Sequence, residues 1–232
     1  MRASATWAMM VAAIGIVTPA GADDATRRPV VAELFTSEGC SSCPPAEALL
    51  TELARRSPGV LALAFHVTYW DTLGWPDRFA LPAATQRQRS YATRLHLDTV
   101  YTPQLIVDGA TDVVGSDRAA VAAAVAAAAR PRPAVPVTLL RVAGGVRFVA
   151  GSGAGSGELV LVGFDSRHAT TVARGENAGR TLEESNVVRS VVSLGSWTGS
   201  AVERTAAIPP GEHLAGLVQA ADGRILGAGV LP

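Results

Sequence analysis

The chain has no lysine. All 20 of its basic residues are arginine, and 20 acidic residues balance them to a formal net charge of zero. The arginines are scattered, with no basic tract and no aromatic stripe among them, which argues against nucleic acid as a partner. Only two cysteines are present, Cys40 and Cys43, so there is no second cysteine pair to complete a four-ligand zinc site. His96, His168 and His213 are scattered without ligand spacing, and no metal or cofactor is expected. Past the N-terminus no apolar run is long enough to cross a bilayer. The alanine-rich stretch 119–129 is about half the needed length.

What the N-terminus does contain reads as an export signal. Arg2 supplies a positive start, Trp7 to Val17 is a short apolar stretch, and Ala20-Gly21-Ala22 is a small-x-small cleavage site before Asp23-Asp24. No cysteine follows the apolar stretch, so lipid attachment is not supported. Residues 1–22 are therefore expected to be removed. The mature chain would be exported, periplasmic or extracellular, with no membrane anchor, in an oxidising space. About 210 residues remain, enough for one large or two small domains.

The pattern changes near residue 130. Before it, strand-like and helix-like segments alternate: Val30 to Thr36, Ala46 to Arg56, Val60 to Val67, Leu81 to Leu97, and Gln104 to Val107 with a hairpin turn at Asp108-Gly109. Ser116 is placed to cap the alanine-rich helix. Arg130-Pro131-Arg132-Pro133 stops that helix. Beyond it come short strands separated by glycine, proline and Asp-Gly turns, the pattern of a small antiparallel β-sandwich. The polar, turn-rich segment 175–180 could reach back to the first half.

Cys40-Ser41-Ser42-Cys43 stands between a strand-like run and a helix-like run. A cysteine pair at a helix N-terminus is suited to redox chemistry, because free N–H groups and partial positive charge there stabilise a thiolate. Three readings are open for the pair: thiol–disulfide exchange, a structural staple in a binding module, or metal binding with His66. A Cys-x-x-Cys loop closes too little chain to be an efficient staple, which favours exchange. Strand, Cys-x-x-Cys, helix, strand, then Thr102-Pro103 before another strand is the order of the thioredoxin fold. There a cis-proline loop packs beside the disulfide.

Four segments, at 33–46, 65–71, 73–75 and 100–104, together with Gly179-Arg180-Thr181-Leu182 and Asn186-Val187-Val188, resemble the secreted thioredoxin-like family known as domain of unknown function 1223 (DUF1223). The resemblance implies an α/β thioredoxin-like domain, residues 23–130, followed by a smaller, mostly antiparallel β-sandwich-like domain, residues 131–232. It casts Cys40 as the exposed attacking thiol and Cys43 as the buried resolving one, with Thr102 and Pro103 beside them. Partners would be protein or small-molecule thiols and disulfides. Ser41 and Ser42 can hydrogen-bond a Cys40 thiolate. Glu33 is a candidate buried proton acceptor for Cys43, His66 a candidate neighbour of the disulfide, and Trp70 a candidate wall of a substrate groove.

Overall fold

The structure is a computed structural model that describes residues 28–231. The expected signal peptide, residues 1–22, lies outside the described residues. The first half contains β1 (Val30–Thr36), α1 (Pro44–Arg56), β2 (Val60–His66), α2 (Pro82–Arg94), β3 (Gln104–Val107), β4 (Thr111–Val114) and α3 (Arg118–Ala128). Strands β5 (Val137–Val142), β6 (Gly145–Ala150), β7 (Gly157–Thr171), β8 (Thr181–Trp197), β9 (Val202–Ala206), β10 (His213–Ala220) and β11 (Ile225–Leu231) follow.

Two sheets form. Eight strands align in the order β11-β10-β7-β8-β2-β1-β3-β4, and β5-β6-β9 make a smaller antiparallel sheet. β1 and β2 run parallel in full register, as a helical crossover requires, while β3 returns antiparallel along β1. The tight turn between β3 and β4 spans Asp108 to Ala110: Asp108 and Gly109 both adopt positive φ, and the Ala110 N–H closes the turn onto the Val107 carbonyl at 3.0 Å. The α3 cap is Asp117, not Ser116: its carboxylate accepts from the N–H groups of Ala119 and Ala120.

Alternation along the strands decides which side chains meet. Val30, Ala32 and Leu34 of β1 pack with α1 and α3 on one face of the large sheet. Val31 and Phe35 face α2 on the other. The small sheet packs on the same face of β7 as Leu159 and Leu161, enclosing Phe148 and Trp197. This is the sandwich-like part of the fold.

The large sheet does not stop at residue 130. Strands β7, β8, β10 and β11 extend it, and β8 joins β2 at one pair, Ala64↔Val187. A buried polar network reinforces the junction. Arg87 on α2 holds Glu33 of β1 through both carboxylate oxygens, at 2.7 and 3.0 Å, and also donates to Gln219 of β10 and to Tyr91. Burial raises the Tyr91 phenol strongly, so it remains a neutral donor and acceptor there. At the other end of β1, Asp108 is ion-paired to Arg28 and to Arg132 of the proline-rich connection.

The largest departure from the sequence pattern is the β7–β8 hairpin. Residues 158–165 and 169–173 read as two short strands, and the run 181–186 is too polar to read as a strand. They form one ribbon whose strands are 15 and 17 residues long. Its outer half carries Ser166, Arg167, Glu183 and Ser185, with no run of core residues to announce it. It is held by ladder bonds and by packing of β8 across α1.

Candidate functional site

Cys40 and Cys43 form a disulfide with a Cα–Cα distance of 5.4 Å. Cys43 is the N-cap of α1, and Pro44 and Pro45 occupy its first positions. Proline is tolerated there because its missing N–H would have no intrahelical partner. The same prolines remove two of the N–H groups expected to favour a thiolate. The N–H of Cys43 is used by the Cys40 carbonyl (3.2 Å), and that of Ser41 by the Glu176 carboxylate (3.0 Å). Ser42 Oγ, 3.3 Å from Cys40 Sγ, is the hydrogen-bonding group the fold places at the sulfur.

The Thr102–Pro103 bond is cis. Its loop lies beside the disulfide: Ser42 Oγ reaches the Thr102 carbonyl at 3.5 Å, and Trp70 Nε1 donates to Thr102 Oγ1 at 2.8 Å. Gly115 closes the loop from below, its N–H bonded to the Pro103 carbonyl. A Cβ at Gly115 would stand 2.7 Å from Leu34 and 3.2 Å from Ala46 of α1, so the close approach of β4 to α1 needs glycine. Trp70 is half-buried against the α2-side core and braces this loop.

Cys40 is fully buried, not exposed as the sequence reading has it. The loop Glu38–Cys40 is covered by the tip of the β7–β8 hairpin. Asn177, itself fully buried, donates from Nδ2 to the carbonyls of both Glu38 and Cys40 at 2.9 Å. Its own oxygen accepts from Arg180. The tip is an internally bonded turn, with Gly175 at φ +79° against Trp75.

Glu33 is not a partner of Cys43. Alternation places it on the α2 face of β1, opposite α1, where Arg87 engages it. The acid groups near the cysteines are others. Thr36 and His66 are register neighbours at the ends of β1 and β2. They share the face of Leu34 and Ala64, beneath the first turn of α1. Glu47 lies one helical turn after Cys43. Asp77, Glu38 and Glu184 complete the cluster, and none of these side chains is more than 6% exposed.

His66 Nδ1 bonds to Asp77 Oδ2 at 2.7 Å. Burial alone would lower the His66 pKa, but the Asp77 carboxylate outweighs it and pushes it up to about 10. Burial opposes ionisation of Asp77 too. The charged imidazole and the N–H groups of Glu38 and Phe79 overcome it and hold that carboxyl below its usual range. Burial raises Glu47. Burial, aided by the neighbouring acids, raises Glu184 to about 8. At neutral pH the cluster thus contains the His66 imidazolium–Asp77 carboxylate pair and a protonated Glu184. Oxygens of Glu38, Glu47, Glu184 and Thr36, and His66 Nε2, are buried without a hydrogen-bond partner. Among the described residues, no three His, Cys, Asp or Glu side chains are arranged to hold a metal ion.

Asn177, Glu176, Asp77 and Glu184 are absent from the sequence reading. Only Glu47 had a legible signal, its spacing of four from Cys43 on an expected helix.

A disulfide at the start of a helix, beside a cis-proline loop and under a hairpin tip, characterises this mixed α/β protein. The chain belongs to the DUF1223 family, described as a protein of unknown function, whose profile matches residues 31–220. Protein AGR_C_4864 from Agrobacterium tumefaciens, known from a crystal structure, is 31% identical. It superposes with a TM-score of 0.75 over 89% of this chain and 95% of that one. HBP35 of Porphyromonas gingivalis shares the fold at a TM-score of 0.58 and 16% identity, over 88% of this chain and 74% of that one. No curated protein matches the sequence. Among the described residues, no helix is long and apolar enough to cross a membrane.

Proposed function

We propose that the protein is an exported thiol–disulfide oxidoreductase with a thioredoxin-like N-terminal half, acting on protein or small-molecule thiols and disulfides. The observation that carries this is the Cys40–Cys43 disulfide at the N-terminus of α1, with Ser42 Oγ at the Cys40 sulfur and the cis Thr102–Pro103 loop alongside. In the reducing direction the Cys40 thiolate attacks one sulfur of a substrate disulfide and expels the other as a thiolate. Cys43 then attacks the Cys40 sulfur, closing the 40–43 disulfide and releasing the second substrate thiolate. Two electrons pass from the dithiol to the substrate, and the reverse sequence oxidises a substrate dithiol.

The order of β1, α1, β2 and the cis-proline loop before β3 supports the thioredoxin-like description. Export is supported by the N-terminal sequence and by the cysteine pair itself, which suits an oxidising compartment. One observation favours a second reading. Full burial of Cys40 suits a permanent staple in a binding module. Insulin reduction driven by dithiothreitol separates the two. Turnover that disappears in Cys40→Ser supports exchange, and no turnover above the Cys40→Ser background rules it out. Cys43→Ser should trap the mixed disulfide.

A further inference from the structure

In thiol–disulfide exchange Cys43 must give up a proton when it attacks and regain one when it leaves, yet it is 1% exposed. A buried thiol exchanges its proton most readily with an acid or base held beside it.

Most of the ionisable groups nearby are fixed in one state or committed elsewhere. Glu33 lies on the other face of β1, bound by Arg87. The charged imidazole and two backbone N–H groups hold Asp77 ionised, and His66 keeps its proton until about pH 10. Glu38 Oε2 accepts from Trp75 Nε1 at 2.7 Å. Glu184, on β8, is 1% exposed and cut off from solvent.

Glu47 is different. It stands four residues after Cys43. Cys43 itself has helical dihedrals, φ −79° and ψ −34°, and its carbonyl accepts the Glu47 N–H at 3.1 Å. The two residues therefore share one helix face on adjacent turns. Residues so spaced have Cβ atoms about 5–6 Å apart. Helix side chains tilt toward the N-terminus, which carries the Glu47 carboxyl back toward the turn of Cys43. Its Oε2 is buried without a hydrogen-bond partner, a costly state that a role in proton transfer explains. Glu47 also lines a groove of about 650 Å³ between α1 and β8, with Pro44, Ala48, Thr51 and Ser185. It thus borders both the buried cluster and solvent.

The groups facing Glu47 come from several elements. Thr36 of β1, His66 of β2, Glu184 of β8, and Glu38 and Asp77 of the loops are on the buried side. Arg55, Arg167 and Glu183 are on the groove side. Burial has the largest effect and raises the carboxyl, toward the range in which it both takes and gives a proton.

We propose that Glu47 is the proton exchanger of Cys43, passing a proton between the cysteine sulfur and solvent in the groove. This rests on the exchange reading and assigns its acid–base group. When the disulfide closes, the Cys43 thiol gives its proton to the Glu47 carboxylate while its sulfur attacks Cys40 Sγ. The bond from Cys40 to the substrate sulfur breaks, and the substrate leaves as a thiolate with the electron pair. When the disulfide opens, an incoming thiolate attacks Cys40 Sγ, Cys43 leaves with the electron pair, and the Glu47 carboxylic acid protonates it. Exchange with solvent in the groove resets the carboxyl.

The test mixes the reduced, full-length mature chain with one equivalent of dithiobis(nitrobenzoate) in a stopped-flow spectrometer. Attack by Cys40 releases one thionitrobenzoate, and attack by Cys43 on the mixed disulfide releases the second, so each cysteine has its own phase. At pH 7, Glu47→Gln should slow the second phase roughly a hundredfold and leave the first little changed. Between pH 5 and 9 the parent's second phase should rise and level off as the carboxyl ionises, whereas the variant's should climb throughout as hydroxide takes over. Glu47→Asp should restore part of the rate. Glu184→Gln, a change in the same cluster but off α1, should leave the second phase unchanged. Equal second phases in the parent and Glu47→Gln, or equal slowing by Glu184→Gln, overturn the proposal. If Glu47→Gln does not fold, Glu47→Asp decides: a slower second phase with a shifted profile supports the assignment, and a profile equal to the parent's overturns it. Insulin turnover with a second phase indifferent to Glu47 refutes the Glu47 role alone. A Glu47-dependent second phase in a protein that never reduces insulin refutes the oxidoreductase reading.

Discussion

The side-chain amide of Asn177 donates to the backbone carbonyl of Cys40 at 2.9 Å, across 137 residues of sequence. With its second bond to the Glu38 carbonyl, it fixes the hairpin tip onto the loop that carries the first cysteine. A sulfur buried in this way reacts only when its cover moves.

Asn177→Ala should therefore loosen the cover. Removing a buried donor that satisfies two carbonyls costs about 1–3 kcal/mol per unsatisfied group. The closed state should be weakened by at least one such increment. The rate of reduction of the 40–43 disulfide by a phosphine should rise roughly tenfold or more, with the stability of the rest of the fold changed less. A rate equal to the parent protein's would mean that Cys40 is reached by a path the tip does not guard.

Ser42→Ala removes the hydroxyl next to Cys40 Sγ. The alternative donors are engaged, the Ser41 N–H by Glu176 and the Cys43 N–H by the Cys40 carbonyl, so the loss is uncompensated. A hydrogen bond worth about 0.5–1.5 kcal/mol corresponds to a rise of about 0.4–1 in the Cys40 pKa of the reduced protein. Iodoacetamide alkylation against pH, on a Cys43→Ser background, measures it. An unmoved profile would show that the serine does not stabilise the thiolate.

Glu184→Gln tests the buried acid cluster. Burial raises the Glu184 pKa in the folded state to about 8, well above the ordinary glutamate value of 4.5. Its contribution to stability is fully present below about pH 4.5 and is lost as pH rises through 8. Glutamine imitates the protonated acid at every pH. The variant should match the parent near pH 4 and exceed it increasingly up to pH 9, by an amount on the order of 2–4 kcal/mol. His66 acts with the same sign over a higher range, its contribution disappearing as pH passes about 10. Parallel thermal denaturation curves at pH 5 and 8.5 would place the Glu184 carboxyl in contact with water.

Glu33→Gln separates structure from chemistry. Leaving Arg87 buried without its carboxylate should cost about 3–5 kcal/mol. Alkylation of Cys40 and Cys43 in the reduced protein should keep its pH dependence, because the Glu33–Arg87 pair lies on the opposite face of β1 from α1. A shift in the Cys43 profile would restore Glu33 as its proton acceptor.

The sequence by itself determined the local pieces. Alternation and apolar runs located β1, β2, β3, β10 and β11, because those strands are buried and their side chains must be apolar on at least one face. Two proline signals, Cys43-Pro44 and Thr102-Pro103, marked the start of α1 and the loop beside it, because proline restricts the backbone wherever it falls. Tertiary structure alone decided what surrounds the disulfide. Asn177 and Glu176 sit in a polar turn that gives no periodic signal, and their partners are backbone groups, which every residue carries. The acid cluster draws Glu38, Glu47, His66, Asp77 and Glu184 from five separate segments. The raised pKa of Glu184 and the His66–Asp77 ion pair follow from burial together, which no one segment encodes. Glu33 shows the converse: its position before the motif suggested chemistry, and the pleat of β1, which sends alternate side chains to opposite faces, gave it to Arg87 instead.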